Sequence, residues 1–106
     1  MAKLKETVRA KTKRTNGRSL TVIIADLNRT LRGWYGYFKR CYKTVFSGLD
    51  GWIRRRLRSL LRKRKGLKGI SRHGADEERW PNAYFGEQGL FSLKMAHDRY
   101  VNPHKR

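Results

Sequence analysis

The sequence predicts an all-α protein, a small helical bundle of about three helices with a short, partly helical C-terminal tail. Three observations carry that expectation. Two long stretches, residues 19–38 and roughly 47–65, place apolar side chains at i, i+3, i+4 and i+7, the spacing that gathers them on one stripe of an α-helix. A turn signal, Asn16-Gly17, separates the first stretch from a short basic N-terminal segment. A polar, glycine-rich loop separates the second stretch from an aromatic tail.

Residues 2–12, AKLKETVRAKT, are compatible with a short helix whose apolar edge is only Leu4 and Val8, four residues apart. Such a helix needs neighbours, and its weakness suggests that it continues something upstream. Residues 13–19 form the break, and Ser19 is a natural N-cap for the first long helix. That helix carries Leu20, Ile23, Ile24, Leu27, Leu31, Trp34, Tyr35 and Phe38 on its apolar stripe and is expected to persist to about Tyr42 or Lys43. At about 100° per residue, Arg29, Arg32, Lys39, Arg40 and Lys43 fall on the other side, with Gly36 among them. Gly33 and Gly36 each cost about 1 kcal/mol relative to alanine inside a helix. Either close helix packing or close approach of a phosphate backbone would account for them.

The second long helix is expected to begin between Ser47 and Gly51 and to run to about Lys65. Phe46, Leu49, Ile53, Leu57, Leu60 and Leu61 make its stripe, while Arg54, Arg55, Arg56, Arg58, Arg62, Lys63, Arg64 and Lys65 occupy the rest. With Asp50 the only local acid, i,i+4 pairing cannot relieve this repulsion, and an external polyanion is the natural neutraliser. Trp52 projects away from the leucines and is read as packing under another segment rather than stacking on a base. Gly66 and Gly69 end the helix. In the tail, Pro81 starts a turn of helix, and Leu90, Leu93, Ala96 and Tyr100 allow a second short one. Trp80, Tyr84, Phe85 and Phe91 either fold back on the helices or form a docking surface.

Composition sets the function class. The 106 residues include 27 Lys and Arg against 8 Asp and Glu, a formal charge of +19 that suits a polyanion. Twenty-two of the bases and only 3 of the acids precede Gly74, so the charge divides there. The expected domain organisation is a helical domain over residues 1–66 and a loop with an aromatic tail over 67–106. A chain this short buries roughly 60% of its unfolded surface, so its stability is marginal. Cys41 is the single cysteine and falls on the apolar side of its helix, a buried thiol compatible with a reducing cytoplasm. His73, His97 and His104 lack metal-ligand spacing, and Asp76-Glu77-Glu78 reads as a solvated charge run. No catalytic constellation, phosphate-cradling glycine loop, metal site or cofactor motif is present, nor any apolar run approaching the roughly 18 residues of a membrane span. A soluble cytoplasmic binding protein is the expectation.

Three segments sharpen it. RTNGRSL from Arg14, LNRTLRGWYGYF from Leu27 and LDGWIRRRLR from Leu49 together resemble the maturase-specific region, or domain X, of bacterial group II intron reverse transcriptases, over roughly residues 3–66. RWPNAYFGEQGLFSL from Arg79 resembles the segment that follows domain X, where a DNA-binding region lies. The resemblance implies a helical thumb that grips intron RNA, helps it fold for splicing and retrohoming, and contacts template–primer. The polymerase palm with its catalytic aspartates is absent from these residues, so no polymerase activity is expected of them. The candidate RNA-binding positions are Arg14, Arg18, Arg29, Arg32, Lys39, Arg40, Lys43, Arg54, Arg55, Arg58, Arg62 and Lys63. The expected partners are group II intron RNA, with target DNA, template–primer and the polymerase domains as further candidates, and no membrane. The alternatives are a duplex DNA-binding module and a module that docks on an acidic protein.

Overall fold

In the computed structural model, which describes residues 2–13, 16–38, 43–66 and 78–101, five helices and no strands are found among the described residues. They are α1 (Ala2–Lys11), α2 (Leu20–Phe38), α3 (Lys43–Arg64), α4 (Asn82–Glu87) and α5 (Leu93–Val101). The all-α expectation holds: α1, α2 and α3 are the three helices of the bundle, and α4 and α5 lie in the tail expected to be partly helical. Side chains of Phe38, Lys43 and Cys41, and everything expected of residues 39–42 and 67–77, lie outside the described residues.

The apolar stripes face one core. From α2, Ile23, Ile24, Leu27 and Leu31 are at most 1% exposed, and Leu20, Trp34 and Tyr35 pack against the cluster. From α3 come Phe46, Leu49, Ile53, Leu57 and Leu60, and from α1 the pair Leu4 and Val8. The thin edge of α1 is thus fully used, as it must be for so short a helix to hold. Ser19 caps α2 by accepting the Val22 amide at 3.3 Å. In the preceding turn, the Asn16 Oδ1 accepts the Arg18 amide at 2.9 Å, while its Nδ2 donates to the Lys11 carbonyl at the end of α1.

α3 begins at Lys43, earlier than the 47–51 expected, and the reason is Phe46. Its ring is completely buried, with centroids of Trp34, Tyr35 and His97 at 6.2, 5.6 and 5.0 Å. Burying a phenylalanine contributes about 1.5–3 kcal/mol, and aromatic pairing adds to it. Together with Leu49 this offsets the roughly 1 kcal/mol that each of Gly48 and Gly51 costs inside the helix. In the same cluster the Tyr35 hydroxyl is enclosed without a hydrogen-bond acceptor, and burial raises its pKa above the ordinary value.

The C-terminal segment folds back into this core. Trp80, Phe85 and Leu93 belong to the buried cluster, and Tyr84, Leu90 and Phe91 pack against it. Residues on both sides of position 67 therefore share one core. Three polar side chains of the long helices hold the segment in place. Asn28 donates from Nδ2 to the Gly89 carbonyl at 2.8 Å and accepts the Phe91 amide at 2.7 Å. Arg58 donates from Nε to the Trp80 carbonyl at 2.8 Å and from a terminal nitrogen to Asn82 Oδ1 at 2.9 Å. Asp50 accepts the Leu93 and Lys94 amides at 3.0 Å each and the Ser92 hydroxyl at 2.8 Å.

This last arrangement caps α5 from another helix. Ser92 Oγ accepts the Met95 amide at 3.2 Å, so the first-turn donors are shared between a local serine and a distant carboxylate, whose charge also complements the helix N-terminus. Replacing Asp50 by Ala leaves one buried amide, one part-buried amide and a hydroxyl without their acceptor, a loss of about 1–3 kcal/mol for such groups. A lowered urea midpoint, with amide exchange in α5 accelerated before that in α2, is the expected result.

Candidate nucleic-acid interface

The cationic side chains gather in three places. The first lies where α1, the 16–19 turn and α2 meet. Lys11 Nζ stands 2.8 Å from Asp26 Oδ1, Arg18 3.5 Å from Oδ2 and Arg29 3.6 Å from Oδ1. The side chains of Arg18 and Arg29 remain 52% and 77% exposed. Long, open pairs of this kind are weak, and one carboxylate shared by three cations leaves a cationic surplus facing solvent. Arg64 reaches back from the end of α3 and donates to the carbonyls of Asn16 and Arg18, which fixes the turn that presents Arg18.

The second group surrounds Trp52. Lys5 Nζ and Arg9 Cζ each lie 5.5 Å from its ring centroid, and the half-buried indole packs against the core as expected. Arg55 is exposed and shares with Trp52 and Lys5 the lining of a shallow hollow. Arg56 is turned inward: it donates to Thr12 Oγ1 at 3.1 Å and to the Arg9 carbonyl at 3.3 Å, closing the C-terminal end of α1. The third group, Arg32, Arg54 and Arg99, borders the C-terminal segment, with Arg32 Cζ 5.4 Å over the Phe91 ring.

Against the expected positions, Arg18, Arg29, Arg32, Arg55 and Lys63 are exposed, and Arg54 and Arg62 are half-buried. Arg58 is the correction. The helical repeat puts it on the outer face, yet it is 6% exposed, bonded to Trp80 and Asn82, and lies 5.4 Å over the Phe85 ring. Projection on a helical wheel treats every arginine as solvated, and the partner that buries this one comes from 22 residues further along the chain. Arg14, Lys39, Arg40 and the Lys43 side chain lie outside the described residues. Lys5, Arg9, Lys11 and Arg99 are cationic neighbours that the sequence pattern does not single out. For Lys5 and Arg9 a signal exists, since they flank Leu4 and Val8 one position on, along the same edge of α1.

The glycine alternatives also separate. A Cβ built at Gly33 or Gly36 meets nothing within 4 Å among the described residues, so close packing against them is not what either glycine provides. Both lie on open helix surface. No group of three or more His, Cys, Asp or Glu able to hold a metal occurs among the described residues, and no described helix is long and apolar enough to cross a membrane.

The Lys11 hydrogen bond, followed by the nearby charges of Lys11, Arg18 and Arg29, holds the Asp26 carboxyl below its ordinary pKa of 3.8, against the opposing effect of burial. A depressed folded-state pKa contributes stability that is fully present above the unfolded value and is lost as pH falls through the folded one. Asp26→Asn is therefore expected to lower the melting temperature at neutral pH by a small amount, consistent with about 0.5–1 kcal/mol for a partly exposed pair. The gap to the parent protein should close as the pH is taken below 3.8.

The family model of the group II intron maturase-specific domain matches residues 1–80, reaching past the 3–66 of the sequence resemblance to include Trp80. No curated protein and no solved structure matches the chain. The match covers α1, α2, α3 and the buried tryptophan that Arg58 holds. The chain belongs to the group II intron maturase-specific domain family.

Proposed function

We propose that this chain is an RNA-binding helical module of a group II intron-encoded reverse transcriptase or maturase, which grips intron RNA by its phosphates to assist splicing and retrohoming. The observation that carries the reading is the exposed cationic surface. Arg18, Arg29, Arg32, Arg55 and Lys63 face solvent, and among the described residues the only carboxylate that pairs with any of them is Asp26. A rigid apolar core holds these side chains at spacings a flexible basic tail could not keep. Arginine forks contact phosphates and release counterions, fixing a fold of the RNA without reading its sequence. The same surface suits a template–primer duplex, and the polymerase domains of the parent protein are its expected neighbours. The module acts by binding, with no part in bond making.

If about 6–10 phosphates are contacted, affinity for a structured intron RNA should fall by roughly 10³- to 10⁵-fold between 50 and 200 mM salt. Arg29→Glu with Arg32→Glu reverses two exposed charges and should weaken binding more than tenfold while leaving the helical circular dichroism unchanged. A flat salt response, or unchanged affinity in the double variant, removes this reading. Tighter binding of duplex DNA than of intron RNA at equal salt would assign the surface to DNA.

Gly36 supplies an independent check. Gly36→Ala should stabilise the helix by up to about 1 kcal/mol, because none of the described residues obstructs the added methyl group. If the glycine admits a phosphate close to the helix, the same substitution weakens RNA binding in a protein that melts higher. Equal affinity would show that the backbone at this position touches no RNA.

A further inference from the structure

Between α3, α4 and α5 lies a cleft of about 300 Å³, and a second hollow of about 310 Å³ continues from it, sharing Leu90, Phe91, Ser92 and Met95. Its lining is mainly apolar: Ile53, Phe85, Leu90 and Phe91, with Met95 56% exposed. Its border is cationic. Arg54 lines the first hollow, Arg32 and Arg99 the second, and among the described residues no carboxylate pairs with any of the three. The single acid in the lining, Asp50, already accepts from Ser92, Leu93 and Lys94. Arg54 Nε is enclosed without an acceptor.

We infer that this cleft receives an unstacked base of a single-stranded RNA segment, with the adjoining phosphates held by Arg32, Arg54 and Arg99. The inference rests on the RNA-binding reading above and adds a site to it. Size favours a flat ring: about 300 Å³ is at the small end of ligand clefts, and a helix about 10 Å across does not enter it. Chemistry favours a base with its backbone. The Arg32 guanidinium, 5.4 Å from the Phe91 ring centroid, sets a cation beside an aromatic ring, the two kinds of group against which bases stack irrespective of sequence. The thioether of Met95 supplies a polarisable edge beside it. An apolar floor ringed by arginines that have no carboxylate partner among the described residues selects an occupant that is aromatic at one end and anionic at the other. A hydrophobic peptide would leave the arginines unused.

The test compares a short RNA strand, the same strand made abasic at its central positions, and a blunt RNA duplex, each bound to the full chain and followed by fluorescence anisotropy. The abasic strand keeps every phosphate and should bind roughly tenfold more weakly than the intact strand. Met95→Glu, at an exposed position, should erase that difference and leave duplex binding unchanged. Met95→Ser, which removes the thioether edge without adding a charge, provides a second variant with the same expected result should the first melt lower. Equal affinity for intact and abasic strands overturns the base site while the phosphate-gripping surface stands. Failure of strand and duplex alike to bind overturns both. A glutamate-rich peptide that competes with the intact strand, and is itself lost in Met95→Glu, assigns the cleft to a protein partner and overturns the inference.

Discussion

The fold depends on a carboxylate placed where it does not belong by composition. Asp50 is 6% exposed in a helix otherwise crowded with arginine and lysine, and it accepts three hydrogen bonds from the start of α5. A buried carboxylate is tolerable only when donors surround it, and the free amides at a helix N-terminus are donors with no intrahelical partner. Each side thus satisfies what the other would leave open. Asn28 and Arg58 repeat the arrangement at the turn before α5 and at the entry to α4. All three residues stand on the long helices, and all three act on the segment from Trp80 to Lys94.

These ties explain how a basic bundle with a short aromatic tail closes its core. α2 and α3 alone present more apolar surface than α1, with only Leu4 and Val8, can cover. Trp80, Phe85 and Leu93 supply the remainder, and they are positioned by the polar ties rather than by a long helix of their own. Each net hydrogen bond contributes only about 0.5–1.5 kcal/mol, yet in a protein of marginal stability several together decide whether the segment docks. The family match ending at residue 80 is consistent with Trp80 being part of the same unit.

The cationic surplus is the counterpart of this closure. Some arginines are consumed internally: Arg56 on the end of α1, Arg58 on Trp80 and Asn82, Arg64 on the 16–18 turn. The cations left outside are therefore arranged by the same contacts that make the core. Arg18 is held by its turn and Arg32 by the Phe91 ring. Under the proposed function, RNA would meet Arg18 and Arg32 with part of their freedom already removed, which lowers the ordering entropy that binding must overcome.

The sequence by itself determined the helices and their inner faces. Periodicity is a local property, and Ile23, Leu27, Leu31, Ile53, Leu57 and Leu60 are buried where the helical repeat puts them. The turn at Asn16, the Ser19 cap and the family motifs were likewise readable, because each needs only residues close together in the chain. Tertiary structure decided the roles of polar residues within those motifs. Nothing local marks Asn28 or Asp50 as ties to another segment, Arg58 projects to the outer face, and their partners lie 22 to 63 positions away. It likewise decided the early start of α3, since the aromatic shell that buries Phe46 includes His97 from α5. Local pattern says which side chains avoid water, but which polar atoms complete one another is set only when distant segments meet.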